Sequence, residues 1–415
     1  MIPHGDDAFY MRAAPSAGGL YPTEIYVAVR HNPVIPDGLY NYQVRDHSLV
    51  RFWARDPWAG LTDACFDHPA LEQADLAVIV TGVFFRSAWR YEDRAYRRVM
   101  LDTGHVLGNL AMVAPCVGRH AYPIGGFNDD ALNEILFLER GEEEAIAVVA
   151  LLSASEQAEG PTALPSPRHP KREVPEGERL QAVHEAGKLG SDRPADAPVP
   201  DEAPAEKFAI AFGESLKGLP FAWNGLLAPT IARRRSTRGF TGEPLTRDEL
   251  ATLLEFTYRP DLMPPEACHE PNPRYFAPHL LQTFVAVNAV EGLDPGCYHY
   301  TPARRELRQI RFTGLKDEVR YLALGQDLAG QAGAVVFHTA DLPRAVEAYG
   351  DRAYRYLHLD AGHLGQRLNL AAIRMGLGVS GIGGFFDDQV NELLGIPERE
   401  AVLYLTTLGR PRRNG

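Results

Sequence analysis

Two stretches of the chain have nearly the same sequence: YEDRAYRRVMLDTGH at residues 91–105 and YGDRAYRYLHLDAGH at residues 349–363. The second stretch follows the first by 258 residues. The same offset separates three further motif pairs: VAV at 27–29 and 285–287, GLYNY and GCYHY at 38–42 and 296–300, and GGFNDD and GGFFDD at 125–130 and 383–388. A constant offset this large indicates a duplicated domain and not a solenoid repeat. The sequence therefore predicts two copies of one domain.

The repeated stretch opens a long helix in each copy. Apolar residues recur at helical spacing over 95–114 and 353–376, which is about five turns or more of a largely buried helix. Short β-branched runs such as EIYVAVR, QTFVAVN, AIAVVALL and AVLYLTTLG are typical of buried strands. Each copy is therefore predicted to be an α+β domain.

The composition changes between the two copies. Residues 153–205 include GPTALPSPRHPKREVPEGE, in which proline and charge occur without periodicity, and this is typical of a linker. A short helix is expected near RLQAVHEAG. We therefore predict a first domain at 1–152, a linker at 153–205 that lets the copies pack in many orientations, and a second domain at 206–415.

Charge and cysteine content limit the classes of partner. The formal net charge is −12, and nucleic acid or an anionic membrane would require a basic surface, so we expect neither as a partner. The four cysteines form no CxxC pair and no cluster with metal-ligand spacing, so we expect reduced buried thiols and no metal: Cys65, Cys116, Cys268 and Cys297. No signal peptide or long apolar run is found, which predicts a cytoplasmic location.

An arginine-rich stretch, RRRSTRGF at 233–240, is a candidate anion site. Guanidinium groups bind phosphate through paired hydrogen bonds, and the two hydroxyl residues add donors. Just after it, Thr246 and Glu249 have the spacing of a capping box at a helix start. The alternative interpretation is a solvated basic turn beside the linker.

Two glycine-containing stretches are further candidates: GVSGIGGFFDD at 378–388 and PSAGGLYP at 15–22. Glycine lets the backbone approach a ligand closely and offer its N–H groups. Neither stretch is a GxGxxG fingerprint, so a dinucleotide site of the Rossmann type is unsupported. A tight turn between a helix and a strand is the alternative interpretation of the first.

Taken together, RRSTRGF, PSAGGLYP, YRYLHLDAGH, GIGGFFDD and the terminal TLGRP resemble the flavin-dependent nitroreductase superfamily. The resemblance is greatest to the SagB-type group, which oxidises thiazolines and oxazolines in ribosomally made peptides. It implies an FMN cofactor and a mixed or antiparallel sheet wrapped by helices. Family members are usually homodimers with FMN at the interface. The resemblance therefore implies that the two copies here form an intramolecular pseudo-dimer.

The resemblance also implies a division of the cofactor site between the copies. Copy two keeps the phosphate-binding and glycine-turn residues: Arg234, Ser236, Arg238, Gly383, Gly384 and Arg410. Copy one keeps the loop that closes the other side of the flavin: Pro15, Ser16, Ala17 and Gly18. We therefore expect one complete FMN site per chain and an empty second pseudo-site.

Copy one lacks the cationic residues of this pattern. The counterpart of Arg234 would fall before Met1, and LLSAS stands where copy two has LGRP. The start is thus expected to be truncated relative to the family or mis-assigned. The alternative interpretation is that the loop reaches a second chain, so a homodimer stays open.

The resemblance assigns catalysis in the SagB-type group to a Lys-Tyr pair. The matching positions here read Arg90-Tyr91 and Ala348-Tyr349, so Tyr91, Tyr349 and Arg90 are the catalytic candidates. Arginine stays protonated and is a poor base, although Arg90 could lower the pKa of Tyr91. The missing lysine leaves the reaction open.

Three functions follow from these residues. The first is azoline oxidation, or a related step, on a peptide natural-product intermediate. The second is an NAD(P)H-dependent reductase of nitro or quinone-type small molecules, and the third is a flavin-free peptide-binding scaffold. Expected partners are a peptide or small-molecule substrate and, beyond a homodimer, peptide-modifying enzymes.

Other repeated polar residues are interpreted as structural. His105 and His363 are expected to be core histidines that form hydrogen bonds. Helix capping and dipole compensation account for the acidic pairs after the glycine turns: Asp129, Asp130, Asp387 and Asp388. Arg94 and Arg352 recur in both copies, which favours a structural ion pair.

Overall fold

The fold is described from a computed structural model of the chain. The structure describes residues 11–156, 158–198, 212–262 and 272–412, with the backbone of 2–4 and 7–9. Met1 and Cys268 lie outside these residues. Cys65 and Cys297 are buried as predicted, whereas Cys116 is exposed, so the prediction of a buried thiol is wrong for Cys116. The chain separates into two compact units. The first comprises Met1–Val199, Arg274–Phe276 and Val346–Leu359, and the second comprises Pro200–Pro273, Ala277–Ala345 and Asp360–Gly415.

The first unit contains eight strands, six helices and several 3₁₀ turns among its described residues. The strands are β1 (Ile2–His4), β2 (Asp7–Phe9), β3 (Thr23–Val29), β4 (Gly38–Gln43), β5 (Ser48–Trp53), β6 (Leu76–Val83), β7 (Arg119–Ile124) and β8 (Glu143–Ser153). The helices are α1 (Trp58–Ala64), α2 (Pro69–Gln73), α3 (Phe85–Tyr91), α4 (Ala95–Val113), α5 (Asp129–Ile135) and α6 (Arg179–Ala186). The 3₁₀ turns are Ala17–Gly19, Glu92–Arg94 and Ala114–Val117.

The rest of the chain supplies seven strands and seven helices in its described part. The strands are β9 (Phe212–Ser215), β10 (Leu281–Val287), β11 (Gly296–Thr301), β12 (Glu306–Arg311), β13 (Ala334–Asp341), β14 (Gly378–Ile382) and β15 (Glu400–Gly409). The helices are α7 (Leu227–Arg233), α8 (Arg247–Tyr258), α9 (Lys316–Leu322), α10 (Asp327–Gln331), α11 (Leu342–Tyr349), α12 (Ala353–Arg374) and α13 (Asp387–Leu394). Further 3₁₀ turns are Pro260–Leu262, Pro278–Leu280, Pro302–Arg304 and Gly350–Arg352. The end of α11 and the start of α12 belong to the first unit.

The strand order confirms the duplication. In the first unit the sheet order is β5-β4-β3-β6-β8-β7, and in the second it is β12-β11-β10-β13-β15-β14, with β9 added beside β12. Every pairing between these strands is antiparallel. Each sheet contributes to its own buried apolar cluster. The chain is therefore two α+β domains of one topology in tandem.

The long helices and the capping box are confirmed. Helices α4 and α12 match the predicted ranges closely at both ends. At the start of α8, the Thr246 hydroxyl accepts from the Glu249 amide at 3.1 Å, and the Glu249 carboxylate accepts from the Thr246 amide at 2.8 Å. His105 and His363 are both buried, as expected of core residues.

The proline-rich stretch after β8 packs on the first unit over its described residues 158–198. The Tyr122 hydroxyl donates to the Gly160 carbonyl at 2.6 Å, and the Gly125 amide donates to the Thr162 carbonyl at 2.7 Å. Leu164 and Leu189 are buried. The sequence predicted a linker over 153–205 that lets the copies pack in many orientations. Its described part is an arm that packs on the first unit, because its apolar residues and carbonyls find partners there, and the predicted domain bounds stay a prediction.

A buried ion-pair cluster lies at the start of α5. Arg352 and Arg355 donate to the two carboxylate oxygens of Asp129 at 2.6 and 2.8 Å, and all three side chains are almost fully buried. Burial alone would raise the pKa of Asp129, but the two guanidinium groups outweigh it and lower that pKa. The predicted structural ion pair is confirmed for Arg352, and that of Arg94 stays a prediction.

The capping prediction for Asp129 is wrong. The N-cap of α5 is Asn128, whose side chain accepts from the Ala131 amide. Asp129 is instead the anion of the buried cluster. Asp387 and Asp388 lie in the first turn of α13, where they compensate the helix dipole.

Candidate functional site

Three stretches that are distant in sequence meet in the second unit. The Thr237 amide donates to the Val379 carbonyl at 2.8 Å, and the Val379 amide donates to the Thr237 hydroxyl at 2.9 Å, which ties the arginine-rich stretch to β14. The Arg412 amide donates to the Gly239 carbonyl at 3.0 Å. The arginine-rich stretch, the strand that leads into the glycine turn and the C-terminal segment therefore lie together.

Cationic side chains gather where these stretches meet. Arg234 is buried, with 1% of its surface exposed, and its Nη1 lies 3.5 Å from the Ser236 hydroxyl. Arg238 and Arg412 are exposed, and neither forms an ion pair with a carboxylate among the described residues. Positive charge so concentrated in a chain of net charge −12 is a chemical match for a phosphate.

Arg410 has a structural partner. Its two terminal nitrogens donate to the two carboxylate oxygens of Glu249 at 2.7 and 2.8 Å. Glu249 also closes the capping box of α8, so this fork ties the C-terminal segment to that helix. The predicted contact of Arg410 with a phosphate stays a prediction, and it depends on the N–H groups that Glu249 does not engage.

Gly383 and Gly384 lie between β14 and α13, and both are part-exposed. Because β14 is the strand to which Thr237 is hydrogen-bonded, the glycine turn extends from the same element that holds the arginine-rich stretch. The predicted contact of this backbone with a ligand stays a prediction.

The PSAGGLYP loop of the first unit is held by α4. Gly18 and Gly19 have φ values of 64° and 67°, which favour glycine. The Ser16 hydroxyl donates to Asp102 Oδ2 at 2.6 Å and accepts from the Tyr21 amide at 2.9 Å. The Ala17 amide donates to Asp102 Oδ1 at 3.3 Å. The hydroxyl of Ser16, predicted to contact the cofactor, is thus already engaged in shaping its own loop.

The same loop contacts one of the predicted catalytic pairs. A Cβ built on Gly18 would lie 2.7 Å from the Tyr91 hydroxyl oxygen and 3.3 Å from Arg90 Nη1. The Arg98 guanidinium lies over the Tyr91 ring at 4.0 Å from its centroid. The structure thus brings Arg90 and Tyr91 to the loop, with Tyr91 half-buried and Arg90 exposed.

Tyr349, the second catalytic candidate, lies in a different environment. Its side chain is buried, with 7% exposed, and its ring packs against that of Tyr356 at 5.7 Å. Its carbonyl accepts from the Ser166 amide of the arm at 3.1 Å. This burial favours Tyr91 over Tyr349 as the residue that can meet a substrate.

Asp102 is a residue that the sequence reasoning missed. It is buried, and burial raises the pKa of its carboxyl to about 7, although Ser16, Ala17 and Arg98 act in the opposite direction. The available signal was the aspartate repeated in LDTGH and LDAGH. Its counterpart Asp360 accepts from the Ala277 amide at 2.7 Å, so the contact with a loop recurs in copy two.

The glycine turn of copy one, Gly125–Gly126, is covered by side chains of the first unit. A Cβ on Gly125 would lie 2.6 Å from the Tyr356 ring and 2.8 Å from the Phe276 ring. A Cβ on Gly126 would lie 2.5 Å from the Leu164 side chain of the arm. The turn that corresponds to Gly383–Gly384 is therefore closed by packing.

The described residues contain neither a candidate metal site nor a candidate membrane-spanning helix. Among the described ranges no three His, Cys, Asp or Glu side chains form a group that could hold a metal ion. In the same part of the chain, no helix is both long and apolar enough to span a membrane. The PSAGGLYP loop lies in the first unit, and the arginine-rich stretch lies in the second unit. A cofactor site formed by both stays a prediction.

The repeated fold defines a tandem α+β protein whose second copy gathers arginine side chains where the arginine-rich stretch meets β14. A family model described as "Nitroreductase family" matches residues 6–151 and 231–410. Because these matches cover more than half of the chain, the protein belongs to the nitroreductase family, a class of oxidoreductases. The matched segments coincide with the two repeated sheets.

Known proteins support this assignment along the whole chain. A crystal structure of a provisionally named nitroreductase from Anabaena variabilis is 51% identical, covers 99% of this chain and 85% of its own, and has a TM-score of 0.93. A provisionally named nitroreductase of Methanocaldococcus jannaschii is 33% identical over 184 residues, which are 44% of this chain and 90% of its own.

Two relatives match over shorter segments. The trifolitoxin-processing protein of Rhizobium leguminosarum bv. trifolii is 30% identical over 141 residues, 33% of this chain and 38% of its own. The NADPH-flavin oxidoreductase of Vibrio harveyi is 48% identical over 58 residues, 14% of this chain and 24% of its own. The chain thus matches well under half of the length of these two relatives.

Proposed function

We propose that this nitroreductase-family chain is an FMN-dependent oxidoreductase that binds one FMN through its second copy. The observation that carries the proposal is the buried Arg234 guanidinium next to Ser236, at the point where the arginine-rich stretch meets β14. A guanidinium beside a hydroxyl is a donor set that fits a phosphate. The short segment shared with an NADPH-flavin oxidoreductase also supports a flavin.

The contrast between the copies supports a single cofactor. Leu164, Phe276 and Tyr356 close the glycine turn of copy one, and LLSAS stands where copy two has LGRP. A ligand at that turn would have to displace these side chains. In the proposal, the Gly125–Gly126 turn of copy one therefore has a structural role and binds no cofactor.

The residues proposed to hold FMN follow from the donor set. Arg234, Ser236 and Arg238 would bind the phosphate, and the Gly383–Gly384 backbone would approach the ring system. By the family resemblance, the loop of Pro15, Ser16, Ala17 and Gly18 would close over the cofactor. When bound, the flavin supplies the hydride chemistry, while the protein sets orientation and electrostatics.

The proposed substrate is a peptide-derived heterocycle that is oxidised from azoline to azole. The likeness to the SagB-type group and the partial match to a trifolitoxin-processing protein support a peptide substrate. Such an oxidation removes a carbon-bound proton, and Tyr91 is the proposed proton acceptor. The guanidinium groups of Arg98 and Arg90 lie over its ring, 4.0 and 5.6 Å from the centroid. Association with peptide-modifying enzymes would follow from this role.

The second candidate is an NAD(P)H-dependent reductase of nitro or quinone-type molecules. It is favoured by the segment shared with the NADPH-flavin oxidoreductase and by the replacement of the lysine of the SagB-type pair by Arg90. Both candidates require the same cofactor and the same arginine-rich stretch.

Anaerobic stopped-flow absorbance at the flavin band distinguishes the candidates. We expect a synthetic thiazoline-containing peptide to bleach the flavin in a single turnover, and NADH or NADPH to bleach it far more slowly. Rapid bleaching by a nicotinamide with no response to the thiazoline peptide would favour the reductase. A colourless protein that does not take up added FMN would instead support the flavin-free scaffold.

A further inference from the structure

We propose that Asp102 is a positioning residue that holds the PSAGGLYP loop, and with it Gly18, against the Tyr91 hydroxyl. Its carboxyl accepts from the Ser16 hydroxyl at 2.6 Å and from the Ala17 amide at 3.3 Å. These are the residues immediately before Gly18. The proposal rests on the proposed function only in treating the loop and Tyr91 as parts of the working site.

Asp102 lies on a rigid helix, so its position can fix that of the loop to which it is hydrogen-bonded. It lies on α4, the long helix that is nearly surrounded by the first unit, so its backbone is fixed by packing. The loop itself has one short 3₁₀ turn with two glycines at positive φ, and its buried contacts are few. A rigid helix therefore holds a segment that has little intrinsic order, through two hydrogen bonds to one carboxyl.

The Ser16 hydroxyl passes this constraint along the loop. It donates to Asp102 and accepts from the Tyr21 amide at 2.9 Å, so the two ends of the glycine turn are linked through a single oxygen. Gly18 lies between them, where a Cβ would lie 2.7 Å from the Tyr91 hydroxyl. Movement of the loop would therefore change the distance between Gly18 and that hydroxyl directly.

The duplication provides an independent observation. Asp360, which corresponds to Asp102 by the 258-residue offset, accepts from the Ala277 amide at 2.7 Å. Copy two has PRYFAPHL in place of PSAGGLYP, without the serine or the glycine pair, yet its aspartate still binds the loop backbone. The contact between the aspartate and the loop backbone thus occurs in both copies, although the loop sequences differ. The additional contact with the Ser16 hydroxyl occurs in the loop of copy one, which lies beside Tyr91.

The surroundings of the Asp102 carboxyl indicate that its hydrogen bonds to the loop, and not an ion pair, hold the loop in place. The groups that act on the carboxyl are Arg98 from one turn earlier on α4 and the Ser16 and Ala17 donors from the loop. Burial raises the pKa of Asp102 to about 7, because it disfavours the charged form of the carboxyl. An uncharged amide of the same shape should therefore hold the loop nearly as well as the carboxyl.

Hydrogen exchange of the full-length protein tests the proposal in three variants. We expect Asp102→Ala to speed exchange of the Ala17 and Tyr21 amides about tenfold, because Ala17 loses its acceptor and the Ser16 hydroxyl that accepts from Tyr21 loses its own partner. Asp102→Asn should stay within about threefold of the parent, since the amide can accept from Ala17 and donate to Ser16. Ser16→Ala, which leaves α4 untouched, should speed exchange at Tyr21 and serves if Asp102→Ala fails to fold.

Single-turnover bleaching by the thiazoline-containing peptide is the second readout. The rate should fall about tenfold in Asp102→Ala at full flavin content and recover in Asp102→Asn, because a displaced loop misplaces the reacting groups. Unchanged exchange in both Asp102→Ala and Ser16→Ala would overturn the proposal, as would equal damage in the alanine and asparagine variants. If exchange responds as expected but the parent protein does not react with the peptide, the positioning role stands and the proposed function fails.

Discussion

Replacing Tyr91 with phenylalanine is expected to slow flavin bleaching by the thiazoline-containing peptide about 10²- to 10⁴-fold, the range for loss of a general acid or base. The hydroxyl that is removed lies against Gly18, and the guanidinium groups of Arg98 and Arg90 lie over the Tyr91 ring, 4.0 and 5.6 Å from its centroid. Flavin content should not change, because Tyr91 belongs to the first unit and the proposed phosphate ligands are in the second. Stopped-flow absorbance under single-turnover conditions measures the effect.

Tyr349→Phe is the matched control for this prediction. It removes the same hydroxyl from the corresponding tyrosine of the other copy, which is buried against Tyr356. We expect its bleaching rate to stay within about threefold of the parent, as for a buried residue that does not meet the substrate. If the two variants were impaired equally, or if only Tyr349→Phe lost activity, the assignment of the proton acceptor to Tyr91 would be wrong.

Replacing Asp129 with alanine is expected to lower the free energy of unfolding by about 3–5 kcal/mol, because the buried charges of Arg352 and Arg355 lose the carboxylate that they share. Its pKa is held below the ordinary value, so the stabilising contribution is complete above about pH 4 and declines as the pH falls further. Urea unfolding followed by circular dichroism at neutral pH measures the difference.

The neighbouring Asp130 provides the control. Its side chain is 60% exposed and pairs with Lys188 at 3.1 Å, so Asp130→Ala should cost no more than about 1 kcal/mol. Where Asp129→Ala does not fold, Asp129→Asn should fold with an intermediate loss, since its amide oxygen still accepts from one guanidinium. A loss below about 1 kcal/mol in Asp129→Ala would contradict the structural role given to the cluster.

Local patterns predicted the repeated elements well. The 258-residue offset gave the duplication, which the common strand order confirms, and hydrophobic periodicity gave α4 and α12 almost to the residue. The capping box of Thr246 and Glu249 was also predictable, because both partners lie within one turn of the same helix. These features depend on neighbours in sequence, which a single chain displays directly.

Long-range side-chain partners were not predictable in the same way. Asp129 follows a glycine turn at a helix start, so local reasoning favoured a cap, yet its partners are more than two hundred residues away. Glu249 looked like a capping residue alone, whereas it also binds Arg410 through both carboxylate oxygens. Nothing in the spacing of such residues distinguishes a local role from a distant one.

The proline-rich arm shows a related limit. Its content of proline and charged residues indicates only that the segment lacks periodic secondary structure. The same composition is compatible with a flexible linker and with a segment that packs against a domain. The packing depends on a few apolar residues such as Leu164 and Leu189 that meet complementary surfaces. Leu164 is also the side chain that closes Gly126, so one segment accounts for both the ordered arm and the closed turn of copy one.

The central claim is that the second copy alone holds the phosphate of one FMN, and flavin stoichiometry tests it most directly. Full-length protein reconstituted with FMN should bind close to one equivalent per chain. Arg234→Ala should weaken binding about 10- to 100-fold, the loss expected for a charge-assisted contact with phosphate. Arg235→Ala is the control, because that exposed neighbour donates to the carbonyls of Ala232 and Arg234, and it should bind like the parent. Binding of no FMN by the parent, or equal FMN affinity in Arg234→Ala and Arg235→Ala, would contradict the account.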